Sequence, residues 1–179
     1  YFTKDKTLQK CVVDFILNDP KIILEPSIGR GHLIKCVSEN IDVDFYMCEI
    51  DENIQLLDGI DKNKVIYHDF IDLEIDNHFD TIIGNPPYIK TKKGNLYIDF
   101  IKKCFNLLND NGELIFIVPT DFFKLTSAHK LLSEMMNVGN FTHIYHPNNE
   151  RLFENASIDV MVFRYCKDFI SEKTTIYNN

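Results

Sequence analysis

Seven short apolar runs punctuate this chain, and most are separated by stretches whose apolar residues recur every three or four positions. The runs are KIILE (21–25), VDFYMCE (43–49), KVIYH (64–68), FDTIIG (79–84), ELIFIVP (113–119), NFTHIYH (140–146) and SIDVMVFRY (157–165). Helical patterns lie around and between them: TLQKCVVDFILND, ended by Pro20, then HLIKCVSEN, IDENIQLLDG, LYIDFIKKCFNLLND and SAHKLLSEMMN. Strands alternating with helices in this way predict an α/β fold, a mostly parallel sheet covered on both faces. The last two runs follow each other without a helix, which predicts an antiparallel hairpin at one edge. Ligands of such sheets bind at the carboxyl ends of the strands.

Two strand ends carry unusual residues. After the first comes EPSIGRG, a loop whose Gly29 and Gly31 let the backbone turn tightly and approach a ligand. It lacks the third glycine of the dinucleotide fingerprint and the Gly-Lys-Ser/Thr of a phosphate loop. Such a loop suits a cofactor without a pyrophosphate but with an amino-acid end, whose ammonium Glu25 could meet. Glu49, about twenty residues on at the second strand end, is placed to accept ribose hydroxyls, and Ile50 to pack on a base. At the third, Asp69 offers an acceptor for an exocyclic amine and Phe70 an aromatic wall. A nucleoside joined to an amino acid is the description of S-adenosylmethionine.

The fourth strand runs into Asn85-Pro86-Pro87-Tyr88. Two prolines give up two donors and fix two φ angles, so the stretch is built for rigidity. The Asn85 oxygen and the Pro86 carbonyl make two fixed acceptors, which suit the two hydrogens of a planar exocyclic amine. They would stabilise the positive charge that grows as that nitrogen attacks a methyl group. Tyr88 would stack on the base. Lys90, Lys92 and Lys93 follow at once and could touch phosphates.

Taken together, the segments YFT, LEPSIGRGHL, CEID, HDF, IIGNPPY, LIFIVP and RLFENASIDVMVF, in this order, resemble the N6-adenine DNA methyltransferases of the gamma-type motif order. The resemblance implies a Rossmann-like class I S-adenosylmethionine-dependent fold with a seven-stranded sheet. It also implies methyl transfer from S-adenosylmethionine to adenine in DNA, with the base flipped out of the duplex. By the same resemblance Phe2, Thr3, Glu25, Pro26, Gly29 and Gly31 would hold the methionine end. Glu49, Ile50, Asp69 and Phe70 would hold the nucleoside, with Asn85, Pro86 and Tyr88 as the reaction centre and Asn85 bordering the cofactor as well. Phe153 would pack on the flipped adenine opposite Tyr88. Where the family usually has a proline after the opening threonine, this chain has Lys4. Rival readings are methylation of a protein glutamine amide, of adenine in RNA, or a non-catalytic subunit of the same fold.

Lys and Arg number 19 against 27 Asp and Glu, a net charge of -8, so attraction to DNA must come from a local patch or another domain. The length of 179 residues suits a single catalytic domain spanning 1–179, and the start at Tyr1 suggests a piece of a longer protein; the resemblance implies that a target-recognition domain would follow it. Five scattered cysteines without a Cys-x-x-Cys pair, and no apolar stretch long enough to span a bilayer, point to a cytoplasmic protein away from membranes. His143 and His146 would face opposite sides of a strand, and no metal site is expected.

Overall fold

Helix α1 (Lys6–Phe15) begins at Asp5, whose carboxylate accepts the Leu8 N–H at 2.9 Å, an N-cap that satisfies one of the free donors of the first turn. The pattern in the sequence predicts a helix continuing toward Asp19, but it stops at Phe15. The reason is a competing acceptor: the backbone N–H groups of Leu17 and Asn18 turn away to the Glu113 carboxylate, each at 3.1 Å.

The computed structural model describes residues 2–92, 94–149, 151–153, 157–170 and 173–178. After α1 come β1 (Ile22–Glu25), α2 (His32–Ser38), β2 (Asp44–Glu49), β3 (Val65–Tyr67) and β4 (Phe79–Gly84). A small ribbon, β5 (Lys90–Thr91) paired with β6 (Gly94–Asn95), leads to α3 (Leu96–Asn106) and the long β7 (Leu108–Pro119). The chain ends with α4 (His129–Val138), β8 (Gly139–His146), β9 (Val160–Lys167) and β10 (Thr175–Asn178).

The main sheet has the order β10-β8-β9-β7-β4-β1-β2-β3. Every pairing is parallel except those of β9, which runs against both β7 and β8. The seven expected strands are all present. An eighth, β10, lies outside β8, so the antiparallel hairpin is one strand in from the edge. Its four residues are all exposed, which leaves no apolar pattern to read.

Residues 50–59 are not the expected helix. Glu49 captures the Ile50 and Asp51 N–H groups at 2.9 and 3.0 Å, and Asp51 takes that of Asn53 at 3.0 Å. Such local side-chain bonds compete with helix hydrogen bonds. Leu57 N–H then bonds Arg30 O at 2.9 Å, tying the segment to the glycine loop.

Alternate residues of each central strand serve opposite faces. Leu24, Ile82, Leu114, Phe116 and Phe163 face α3 and α4, whereas Ile23, Ile83, Ile115, Ile117 and Val162 face α1 and α2. Both faces are covered, which is why the strands read as continuous apolar runs. At the amino end of β4 and the adjoining part of β7 this core holds a polar knot. Glu113, fully buried, accepts from Arg164 Nε at 2.7 Å and from Thr81 Oγ1 at 2.9 Å, besides the two N–H groups after α1. Arg164 Nη1 donates to Thr142 Oγ1 at 2.8 Å, so the knot joins β4, β7, β8, β9 and the segment after α1. No helix among the described residues is long and apolar enough to cross a membrane.

Removing the cation from this knot strands a buried carboxylate. Arg164→Leu should therefore lower unfolding stability by roughly 3–5 kcal/mol, measured by urea denaturation. A loss under about 1 kcal/mol would show that the remaining donors to Glu113 suffice.

Candidate active site

The site is assembled at the carboxyl ends of β1 to β4. From Glu25 the chain passes through Pro26 and Ser27 to Ile28, whose N–H bonds Cys48 O at 3.0 Å, and Gly31 caps α2. Gly29 (φ 55°) and Gly31 (φ 84°) both use left-handed backbone that only glycine adopts freely. Their packing differs. A Cβ on Gly29 would lie 3.1 Å from the Phe2 ring, whereas one on Gly31 would lie 1.8 Å from Ile60. Gly29 is thus under the opening segment, and Gly31 is seated against the 50–64 loop instead of the cleft.

Glu49 fixes the geometry of this region. Besides Ile50 and Asp51 it accepts the Gly29 N–H at 2.8 Å, so one buried carboxylate joins the loop after β1 to the turn after β2. A carboxylate offers about four acceptor sites, and three are used within the chain.

A cleft of about 260 Å³ opens beside it, lined by Phe2, Pro26, Gly29, Glu49, Ile50, Asp69, Phe70 and Asn85, so eight expected cofactor residues meet in one place. A small adjoining cavity of about 20 Å³ is walled by Thr3 and Glu25 together with Ser27 and His32. Residues 27, 54, 68, 87, 89, 96 and 100 complete the cleft and are not among the expected cofactor residues. Leu96 and Phe100 could have been, because they are four apart on the first turns of the helix after the Asn-Pro-Pro-Tyr loop. Phe100 packs on Phe70 with ring centres 5.2 Å apart. The loop bearing Asp69 is held by Lys103, whose ammonium donates to the carbonyls of Phe70, Ile71 and Leu73. Asp69 itself accepts the Ile71 N–H at 2.9 Å.

The Asn-Pro-Pro-Tyr segment leaves β4 at Gly84. Asn85 Nδ2 donates to Thr3 Oγ1 at 3.0 Å, and the Tyr88 hydroxyl lies 2.5 Å from Asn85 Oδ1 and 3.0 Å from Ile117 O. Pro86 is buried. The Tyr88 ring meets Phe153 edge to face at 6.3 Å and 78°, and Tyr97 likewise at 6.0 Å and 84°. Phe153 is 4% exposed and belongs to the core. The two aromatic rings expected to sandwich a base are therefore perpendicular and in contact, with no slot between them in this arrangement.

Lys90 and Lys92 are exposed on the β5–β6 ribbon, and Lys93 lies outside the described residues. Lys92 also borders a larger neighbouring groove of about 610 Å³ with Lys102 and Asn106, which shares Asp69 and Leu96 with the cleft. His146 bonds Asp159 at 2.8 Å, and His143 bonds Thr142 Oγ1 at 2.9 Å. No cluster of three or more metal-ligating side chains occurs among the described residues.

Two features of the small cavity fit a zwitterionic amino-acid end. The Ser27 hydroxyl is buried without a partner among the described residues, as expected of a group whose partner is a ligand. Burial pushes the Glu25 carboxyl up to about 8, against the weaker pull of its bond from Ser27 N–H and with a further push from Glu49. An ammonium beside it would draw it back to the carboxylate.

The fold is that of the class I S-adenosylmethionine-dependent methyltransferases. A solved Listeria monocytogenes structure described in those terms superposes with a TM-score of 0.82 at 16% identity, covering 99% of this chain and 65% of its own. Residues 33–153 match the model of the Eco57I restriction-modification methylase family, and the chain belongs to that family. Type II methyltransferase M.HincII of Haemophilus influenzae is 30% identical over 99% of this chain and 39% of its own length. M.CvrRI of Paramecium bursaria Chlorella virus XZ-6E is 31% identical over 81% of this chain and 42% of its own. The chain thus spans about two fifths of these curated relatives.

Glu25 gives the site a pH signature. Its folded-state value lies above the 4.5 of an ordinary glutamate, so the native state holds the proton more tightly and stability falls as pH rises from about 4.5 to 8. The loss should amount to roughly 3–5 kcal/mol, and Glu25→Gln should abolish it. Denaturant melts of both proteins at pH 5 and 8.5 make the check, and equal slopes would contradict the assignment.

Proposed function

We propose that this chain is the methyl-transferring part of a restriction-modification DNA methyltransferase that modifies the N6 amine of adenine. The observation that carries the reading is the position of Asn85. Its carboxamide stands at the end of β4 in the wall shared by the cleft and the small cavity, on a strand end stiffened by two prolines. S-adenosylmethionine is the methyl donor, and when bound it supplies an electrophilic methyl group. Thr3, Glu25 and Ser27 receive its amino-acid end, Glu49 its ribose, and Ile50, Asp69, Phe70 and Phe100 its adenine.

The lone pair of an exocyclic amine is delocalised into its ring. Asn85 Oδ1 and the Pro86 carbonyl, taking the two hydrogens, favour a pyramidal nitrogen and stabilise the charge it acquires. The methylated amine, now cationic, loses a proton readily, so the chain needs no base with a shifted pKa. Reaching the amine requires the adenine to leave the duplex at a cost of a few kcal/mol, on a common estimate. In the chain, Phe153 must move off Tyr88 to admit the base, and the Tyr88 hydroxyl, kept on Ile117 O, leaves Asn85 Oδ1 for the substrate. Lys90 and Lys92, on the ribbon that follows, are positioned to meet phosphates in a chain otherwise acidic.

A glutamine amide or an RNA adenine presents the same two hydrogens, so the acceptors alone do not select DNA. The family membership favours DNA. Unmethylated DNA incubated with S-adenosylmethionine and the full-length protein should yield N6-methyladenine by nucleoside mass spectrometry. Asn85→Ala should lower the yield rate at least about 100-fold. Labelled methyl groups recovered in RNA or protein and not in DNA would overturn the substrate assignment.

A further inference from the structure

Thr3 touches the catalytic amide and is itself held rigidly. It is 5% exposed, its carbonyl accepts from Gln9 Nε2 at 2.6 Å, and Gln9 Oε1 accepts from Lys6 Nζ at 3.1 Å. The first turns of α1 therefore set where the Thr3 hydroxyl sits, 3.0 Å from Asn85.

A carboxamide can turn over, exchanging its oxygen and its NH2 group with little steric change. Among the described residues, Thr3, Tyr88 and Ile117 can satisfy both orientations of Asn85. With Nδ2 toward Thr3, the Tyr88 hydroxyl donates to Oδ1. Turned over, Thr3 donates to Oδ1, while Tyr88 accepts from Nδ2 and donates to Ile117 O, which lies at 3.0 Å. An amine substrate arriving on the Tyr88 side needs an oxygen there. The turned-over amide would present it with hydrogens.

We propose that Thr3 is the positioning residue that sets the orientation of Asn85, and that it does so when the small cavity is filled. A hydroxyl has one proton. Once Thr3 gives that proton to an acceptor in the cavity it shares with Glu25 and Ser27, its oxygen can only accept from Asn85. The NH2 group must then face Thr3, and Oδ1 faces the substrate. The carboxylate of the cofactor's amino-acid end is the acceptor of the right chemistry. Cofactor binding and readiness of the catalytic amide are thereby one event, carried by one proton.

This inference rests on the cleft being a cofactor site, but not on which amine is methylated. Its test compares the full-length protein with Thr3→Val, which removes the hydroxyl at constant shape, and Thr3→Ser, which keeps it. At saturating S-adenosylmethionine, Thr3→Val should lower kcat about 10- to 100-fold, and Thr3→Ser should restore most of the loss. With Asn85→Asp, which has an oxygen at each end, adding Thr3→Val should change kcat by less than about twofold.

A readout independent of turnover is the Asn85 side-chain signal pair in protein labelled with ¹⁵N-asparagine, identified by its absence in Asn85→Asp. S-adenosylhomocysteine should shift that pair in the parent and in Thr3→Ser but not in Thr3→Val. A Thr3→Val protein that raises only the KM for cofactor, with kcat unchanged and the Asn85 pair still responding, would overturn the inference alone. Failure of S-adenosylhomocysteine to bind the parent in calorimetry would overturn the cofactor assignment and the inference together.

Discussion

The Glu49 carboxylate is the constraint on which the site depends. Three backbone N–H groups from two loops converge on it, and each loop would otherwise have its own preference. The segment after β2 carries a helical pattern, and the glycine loop has left-handed freedom at two positions. By taking Gly29, Ile50 and Asp51 at once, Glu49 suppresses both and turns two mobile kinds of sequence into one wall. Charge-assisted bonds of this kind are about twice as strong as neutral ones, and here they join Gly29 and Ile50, both of which line the cleft.

The sheet is polarised in its chemistry. At one end Glu113 and Arg164 are matched with donors and acceptors from four strands and the turn after α1. At the other, one hydroxyl and one carboxyl are held short of their preferred partners: Ser27 has none among the described residues, and Glu25 is buried with a single long bond at 3.4 Å. The first end makes the fold cohere. The second leaves polar capacity in reserve, as expected where a ligand completes the structure.

Much of this was legible in the residues. Strands such as Ile82–Ile83 and Leu114–Val118 are apolar on both faces and announce a covered parallel sheet. The glycine loop and the double proline are legible because their backbone chemistry excludes ordinary strands and helices. What was hidden depends on distant partners. Glu113 and Arg164 are 51 positions apart and meet only through β7–β9 pairing. The shortening of α1 follows from the same carboxylate. β10 has no apolar face to reveal it, and the edge-on contact of Tyr88 with Phe153 follows from three-dimensional packing that a motif does not encode. Ser27 and Phe100 face the cleft for reasons of loop path and helix phase, which sequence spacing only partly discloses.

The cleft between the ends of β1, β2, β3 and β4 is the proposed cofactor site, and a larger groove lies beside it between α3 and the β5–β6 ribbon. A crystal structure with S-adenosylhomocysteine bound decides this most directly. The amino-acid end is expected against Thr3, Glu25 and Ser27, the ribose hydroxyls at Glu49, and the adenine between Ile50 and the Phe70–Phe100 pair. Ligand density in the groove bordered by Lys92, Lys102 and Asn106, with the cleft lined by Glu49 empty, would contradict this placement.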